Sequence, residues 1–215
     1  MGLRLLALLL VLALVACGGE DDAAPEDTAA PTEGCSTVDP AEPKEDAGRK
    51  APTDPLDEGT TYRLKVETNC GAFTITLDPR TAPQTAASLV ALARDGFFDG
   101  TGFHRVVPGF VIQGGDPTGS GTGGPGYSTV DPPPRDTTYT RGVVSMAKAQ
   151  DEAPGTAGSQ FFVVTGGDIG LPPEYAVVGT VTEGIETVLE IDGLGSGDGP
   201  PSTPIVMEKV TVEES

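Results

Sequence analysis

The run Phe103-His104-Arg105-Val106-Val107-Pro108-Gly109-Phe110-Val111-Ile112-Gln113-Gly114-Gly115-Asp116-Pro117-Thr118 holds two short apolar stretches, parted by Pro108-Gly109 and closed by Gly114-Gly115. Short apolar runs rich in β-branched and aromatic residues and bounded by Gly or Pro read as buried strands, here Phe103 to Val107 and Phe110 to Gln113. Working outward, the pattern recurs at Gly142 to Ala147, at Gln160 to Val164 and at Ala176 to Val181. Upstream, Leu64, Val66, Phe73, Ile75 and Leu77 alternate with Arg63, Lys65, Glu67, Thr74 and Thr76, and Asn69-Cys70-Gly71 supplies a turn, so this part reads as a hairpin of half-buried strands. Thr81-Ala82-Pro83-Gln84 matches a capping box with Pro in the first turn. Ala86, Leu89, Val90 and Ala93 then fall at helical spacing until Gly96, which predicts a helix over 82–95. A second helix is predicted at Ile185 to Ile191 and a last strand at Ile205 to Val212. Many short strands with only two helices predict a mainly β chain that closes into an antiparallel barrel and so exposes no sheet edge.

The charge balance excludes some functions. With 32 Asp plus Glu against 13 Lys plus Arg the net charge is −19, which repels a nucleic-acid backbone whose binding depends on Lys and Arg displacing counterions. Three cysteines and a single histidine leave almost nothing for a Cys/His metal site. Gly119-Ser120-Gly121-Thr122-Gly123-Gly124 matches G-x-G-x-x-G, yet Pro125 follows and no apolar helical run opens after it, so it reads as a loop. A serine hydrolase would have only His104 as base, and there is no Gly-x-Ser-x-Gly elbow. The abundant carboxylates lie mainly in the tail and in loops, where a solvated surface is the expected role.

The amino terminus reads as an export and anchoring device. Arg4 precedes a run of Leu, Ala and Val from Leu5 to Ala16, too short for a bilayer span of about 20 residues but suited to a signal-peptide core. Leu14-Val15-Ala16-Cys17 resembles a bacterial lipobox, which makes residues 1–16 a lipoprotein signal peptide and Cys17 the lipidated residue; the competing reading is ordinary secretory cleavage nearby. Residues 17–60 form an acidic, Pro-rich linker. From Gly18 to Thr60 it carries thirteen acidic and three basic residues and six prolines, about half the net charge. With so little apolar surface it is expected to be an extended, disordered tether leading to a domain at 61–215. With Cys17 lipidated, Cys35 and Cys70 remain as an even pair in an oxidising compartment, so a disulfide between them is expected.

The block Phe103 to Thr118, followed in order by Gly158-Ser159-Gln160-Phe161-Phe162-Val163-Val164-Thr165, resembles the cyclophilins, and the resemblance spans roughly Tyr62 to Val212. It implies an eight-stranded antiparallel closed β-barrel capped by two α-helices, peptidyl-prolyl cis-trans isomerase activity, no cofactor and no metal. By resemblance, Arg105 is the catalytic arginine, Phe110, Val111, Phe162 and Leu171 line the proline pocket, and Gln113 hydrogen-bonds the substrate backbone. Ala147 and Lys148 fall on the edge against which the peptide lies, and Tyr175 stands where a rim histidine is common. His104 accompanies the arginine without a proton-transfer role. Gly170 takes the place of a tryptophan associated with cyclosporin binding, so weaker inhibition is expected. The implied partners are proline-containing peptides and unfolded exported proteins, bound by a monomer lipid-anchored at the extracytoplasmic face of a bacterial membrane. A non-catalytic proline-peptide-binding or chaperone module is the alternative.

Overall fold

The structure, a computed structural model, describes residues 34–44 and 48–215. The expected signal peptide, Cys17 and the first part of the tether lie outside the described residues. Strands β1 (Tyr62–Thr68) and β2 (Gly71–Leu77) form the hairpin, with Gly71 at φ +114° where the chain reverses. Leu64, Val66, Phe73, Ile75 and Leu77 all point inward and are at most 5% exposed, as their alternation predicts. After α1 (Pro83–Arg94) come β3 (Thr101–Val107) and β4 (Val111–Asp116), then the two-residue β5 (Thr129–Val130), β6 (Val143–Met146), the two-residue β7 (Thr156–Ala157) and β8 (Phe161–Val164). The chain finishes with β9 (Val177–Glu183), α2 (Ile185–Asp192) and β10 (Val206–Glu214).

Eight strands close a barrel in the order β1-β10-β3-β4-β8-β6-β9-β2, every neighbouring pair antiparallel. The main core includes Phe73, Phe103 and Phe161, stacked in tilted or edge-on pairs 6.2 to 6.4 Å apart. Helix α1 packs near β1 and β10, and α2 packs against β2, β3 and β4. The strands β5 and β7 pair as a separate two-stranded sheet that the apolar pattern did not announce. Two residues are too few to show a periodicity.

The capping box is not formed. Ala82 is the N-cap residue and makes no side-chain cap, while the Thr81 hydroxyl donates to Asp78 instead. The Thr85 N–H in the first turn donates to Asp131, 2.7 Å away, and the Thr85 hydroxyl donates to the same oxygen. A carboxylate there satisfies an N–H that has no partner within the helix and complements the positive end of the helix dipole.

Residues 34–44 and 48–60 contain no helix or strand, in keeping with their composition, but they lie along the barrel. Ser36 pairs with Asn69 through both backbone and side chain, Lys44 N–H donates to Pro117 O, and Arg49 reaches Asp95 at 2.6 Å. Cys35 and Cys70 are joined by a disulfide across a sequence separation of 35.

Candidate active site

The row that builds the site crosses three strands. Arg105 on β3 is registered opposite Gln113 on β4, and Gln113 opposite Phe162 on β8. A regular strand would put Phe103 and Arg105 on the same face, because side chains alternate. Here the register slips between them: Phe103 pairs with Gly114 and Arg105 with Gln113, leaving His104 as the extra residue of a bulge. A bulge re-aims the side chains that follow it. Phe103 therefore enters the core at 2% exposure while Arg105 faces out, and Val106 turns back in at 0%.

That outer face carries a second apolar cluster in which Val111, Phe162, Val164 and Tyr139 are buried and Phe110, Ala147, Leu171 and Tyr175 pack around them. On it sits a cavity of about 270 Å³ lined by Arg105, Phe110, Val111, Gln113, Ala147, Lys148, Phe162, Leu171 and Tyr175. All nine predicted site residues of the domain meet there. The volume lies just under the range of roughly 300–1,000 Å³ usual for small-molecule sites, which suits one small ring with its flanking backbone. A second cavity of about 540 Å³ adjoins it, sharing Gln113, Ala147 and Lys148 and extending along the Gly-rich loop from Gly121 to Gly126.

The polar groups at the rim are tightly partnered. Arg105 Nη1 donates to Gln113 Oε1 at 3.2 Å, and its Nε and Nη2 donate to the two oxygens of Asp198 at 2.6 and 3.0 Å. A guanidinium has five N–H groups. Three are engaged among the described residues, leaving one on each terminal nitrogen. Gln113 Nε2 donates to Gln160 Oε1 at 3.1 Å, and Gln160 Nε2 donates to Gly123 O at 2.9 Å. Lys148 lines the cavity, but its ammonium is engaged elsewhere. Its ammonium donates to Ala149 O and Glu152 O, pairs with Glu174 at 3.3 Å, and lies 5.7 Å from the Tyr175 ring centre, with the side chain 3% exposed. All three ammonium protons are thereby occupied, and Lys148 braces the rim.

Several residues that support the site carried no assignment from the sequence. Tyr139 is fully buried behind Phe162; its hydroxyl donates to Tyr175 O and accepts the Tyr175 N–H, holding the rim loop from both sides. Asp192, the last residue of α2, accepts the Gly109 N–H at 3.0 Å and the Thr165 hydroxyl at 2.6 Å, fixing the turn that leads into Phe110. Asp116, 1% exposed, accepts hydrogen bonds from Thr118, Gly121 and Gly123, so the Gly-rich loop winds around a carboxylate. A Cβ at Gly123 would fall 2.1 Å from that carboxylate. Burial opposes ionisation of Asp116, but these hydrogen bonds outweigh it and hold its pKa below the usual carboxylate value. Gln160 and Asp116 were legible within their sequence blocks, whereas the roles of Tyr139 and Asp192 depend on contacts between distant segments. Gly170 sits beside Leu171 and contributes no side chain to the rim.

The family model of cyclophilin type peptidyl-prolyl cis-trans isomerase/CLD matches residues 63–212. The chain belongs to the cyclophilin family. A probable peptidyl-prolyl cis-trans isomerase B of Mycobacterium leprae (strain TN) is 38% identical over 184 residues, covering 76% of this chain and 60% of the relative. The chain therefore spans about 60% of that relative's length. Peptidyl-prolyl cis-trans isomerase B of Bacillus subtilis (strain 168) is 43% identical over 138 residues, 64% of this chain and 87% of the relative. Among solved structures, a Cryptosporidium parvum cyclophilin type isomerase aligns at TM-score 0.65 and 31% identity over 71% of this chain and 98% of its own. A second structure of that protein, determined in the presence of the dipeptide Ala-Pro, aligns at TM-score 0.64. Barrel, helices and family agree.

Proposed function

We propose that this chain accelerates cis–trans isomerisation of X–Pro bonds in proteins folding outside the cytoplasm, as an exported monomer anchored through a lipid on Cys17. The observation that carries the reading is the small apolar cavity with Arg105 held at its edge and two N–H groups unengaged among the described residues. Rotation about the amide breaks its conjugation, against a barrier of about 18–20 kcal/mol. As the bond twists, the prolyl nitrogen becomes pyramidal and regains a lone pair that can accept a hydrogen bond. An N–H of Arg105 aimed at that nitrogen binds the twisted state better than the planar one, and such differential binding lowers the barrier. A guanidinium suits this because its charge is permanent and its donors are fixed in a plane. Phe110, Val111, Phe162 and Leu171 hold the proline ring, and Gln113 meets the peptide backbone, so that the other side of the amide rotates. No covalent bond to the protein forms and no proton is transferred.

Removing one preorganised donor of this kind typically costs a factor of about 10²–10³ in rate. Arg105→Ala is therefore expected to lower the isomerisation rate of a proline tetrapeptide by about 100-fold. A variant as fast as wild type would remove Arg105 from the mechanism, and a wild-type rate equal to that of buffer would refute the activity and leave a peptide-binding module. The anchor rests on the lipobox-like Leu14 to Cys17. Radiolabelled palmitate is expected to label the chain in a bacterial host and not its Cys17→Ser variant; equal labelling of the two would exclude the anchor.

A further inference from the structure

The loop between α2 and β10, rich in Gly and Pro from Gly193 to Pro204, does more than connect two elements. Val106 N–H donates to Gly199 O at 2.7 Å, and the two residues form an isolated antiparallel bridge, so the loop lies against β3 as a minimal extra strand. Ser202 N–H donates to Leu194 O and closes the loop on itself. A Cβ at Gly195 would come within 2.7 Å of Pro108, so the loop seats this closely only because a glycine is there. This bridge next to Arg105 places Asp198 alongside the guanidinium, where it makes the two-point contact at 2.6 and 3.0 Å. On the opposite flank the grip continues from Gln113 to Gln160 to Gly123, and so to the loop wound around Asp116.

We propose that Asp198 is a positioning residue that fixes the Arg105 guanidinium in the plane from which its remaining N–H groups reach the prolyl nitrogen. The proposal rests on the isomerase reading above. Three features favour a clamp over a plug or a mere stabilising pair. Arg105 lines the cavity and Asp198 does not, so the carboxylate grips from outside without occupying the site. The contact takes Nε and one Nη2 proton and leaves an N–H on each terminal nitrogen. The pair is also solvent-facing, with side chains 30% and 67% exposed, and exposed ion pairs add little to folding stability. What a two-point Arg–carboxylate contact supplies at such a place is geometry. A long side chain that must hold one direction at the moment of rotation gains rate from being held beforehand.

The test separates kcat and KM for a proline tetrapeptide, by NMR line-shape titration, in wild type, Asp198→Ala, Asp198→Asn and Asp198→Glu. Asp198→Ala is expected to lower kcat roughly tenfold, with KM and the melting temperature unchanged. Asp198→Asn should fall between the two, and Asp198→Glu should recover part of the loss. Because the pair is exposed, raising the salt concentration should slow wild type relative to Asp198→Ala and narrow the gap between them. The Arg105 Nε–H proton, which donates to Asp198 in wild type, should exchange faster in Asp198→Ala than in wild type. An Asp198→Ala variant with wild-type or higher kcat, a change confined to KM, or a salt-independent gap would overturn the clamp. An inactive wild type would overturn the isomerase reading itself, and the clamp with it.

Discussion

His104 illustrates how one residue serves geometry and leaves a pH signature. As the extra residue of the β3 bulge it turns Arg105 outward, and both its ring nitrogens are buried without a hydrogen-bond partner among the described residues. Burial disfavours the charged imidazolium, partly offset by nearby Asp116, so the folded-state pKa lies below the ordinary value of about 6.5. The unfolded chain then binds the proton more readily than the folded one between the two pKa values. Stability from this residue is complete above about pH 6.5 and is lost as pH falls toward the folded-state pKa. Urea unfolding at pH 7.5 and pH 5 should show a larger loss for wild type than for His104→Gln, which cannot titrate. Equal losses in the two proteins would show that His104 does not contribute to the acid sensitivity.

At the scale of elements, the strands and helices that line the barrel were legible because each carries its own period or apolar run. Phe73, Ile75 and Leu77 alternate, and Ala86, Leu89, Val90 and Ala93 recur at helical spacing. The site residues on β3, β4 and β8 were legible through the resemblance of two blocks whose register the barrel brings into one row. What the sequence did not disclose are partnerships between segments far apart. Thr81 carries the residue type of a cap, yet Asp131, 46 positions beyond Thr85, supplies the helix with its carboxylate. That same contact anchors the segment of β5, whose two residues pair with β7 and give no periodic signal. Asp192 stands just past the predicted helix from Ile185 to Ile191, and the Gly109 and Thr165 donors it serves lie far from it in the sequence. Lys148 falls by resemblance on the edge against which the peptide lies, and only the positions of Ala149, Glu152 and Glu174 show its ammonium protons to be occupied. In each case the local chemistry was visible and its partner was not.

For the whole molecule, the described residues of the arm, 34–44 and 48–60, are coupled to the domain without entering its site. Two of the three basic residues in the acidic segment serve as docking points: Lys44 donates to Phe97 O and Asp99 O, and Arg49 pairs with Asp95 and lies 5.1 Å from the Phe97 ring centre. None of the arm's described residues lines the cavity that holds Arg105. The Cys35–Cys70 disulfide closes a chain loop with a sequence separation of 35, and in the chain-entropy account a crosslink of that size disfavours the unfolded state by about 4 kcal/mol. Stability and catalysis should therefore separate. A Cys35→Ser, Cys70→Ser double variant is expected to lose about 3–4 kcal/mol in urea unfolding, compared with the oxidised wild type. Its barrel should still form, since β1 and β2 pair through six registered residue pairs and a local turn. Isomerisation at the temperature where both proteins are folded should be unchanged, while limited proteolysis should cut the arm faster in the variant. An unfolding midpoint equal to wild type would show that the crosslink adds no stability. A loss of activity in the folded variant would show instead that the arm communicates with the cavity, a coupling for which the hydrogen bonds from Lys44 to Pro117 and from Arg49 to Pro125, at the two ends of the Gly-rich loop, would be the first route to test.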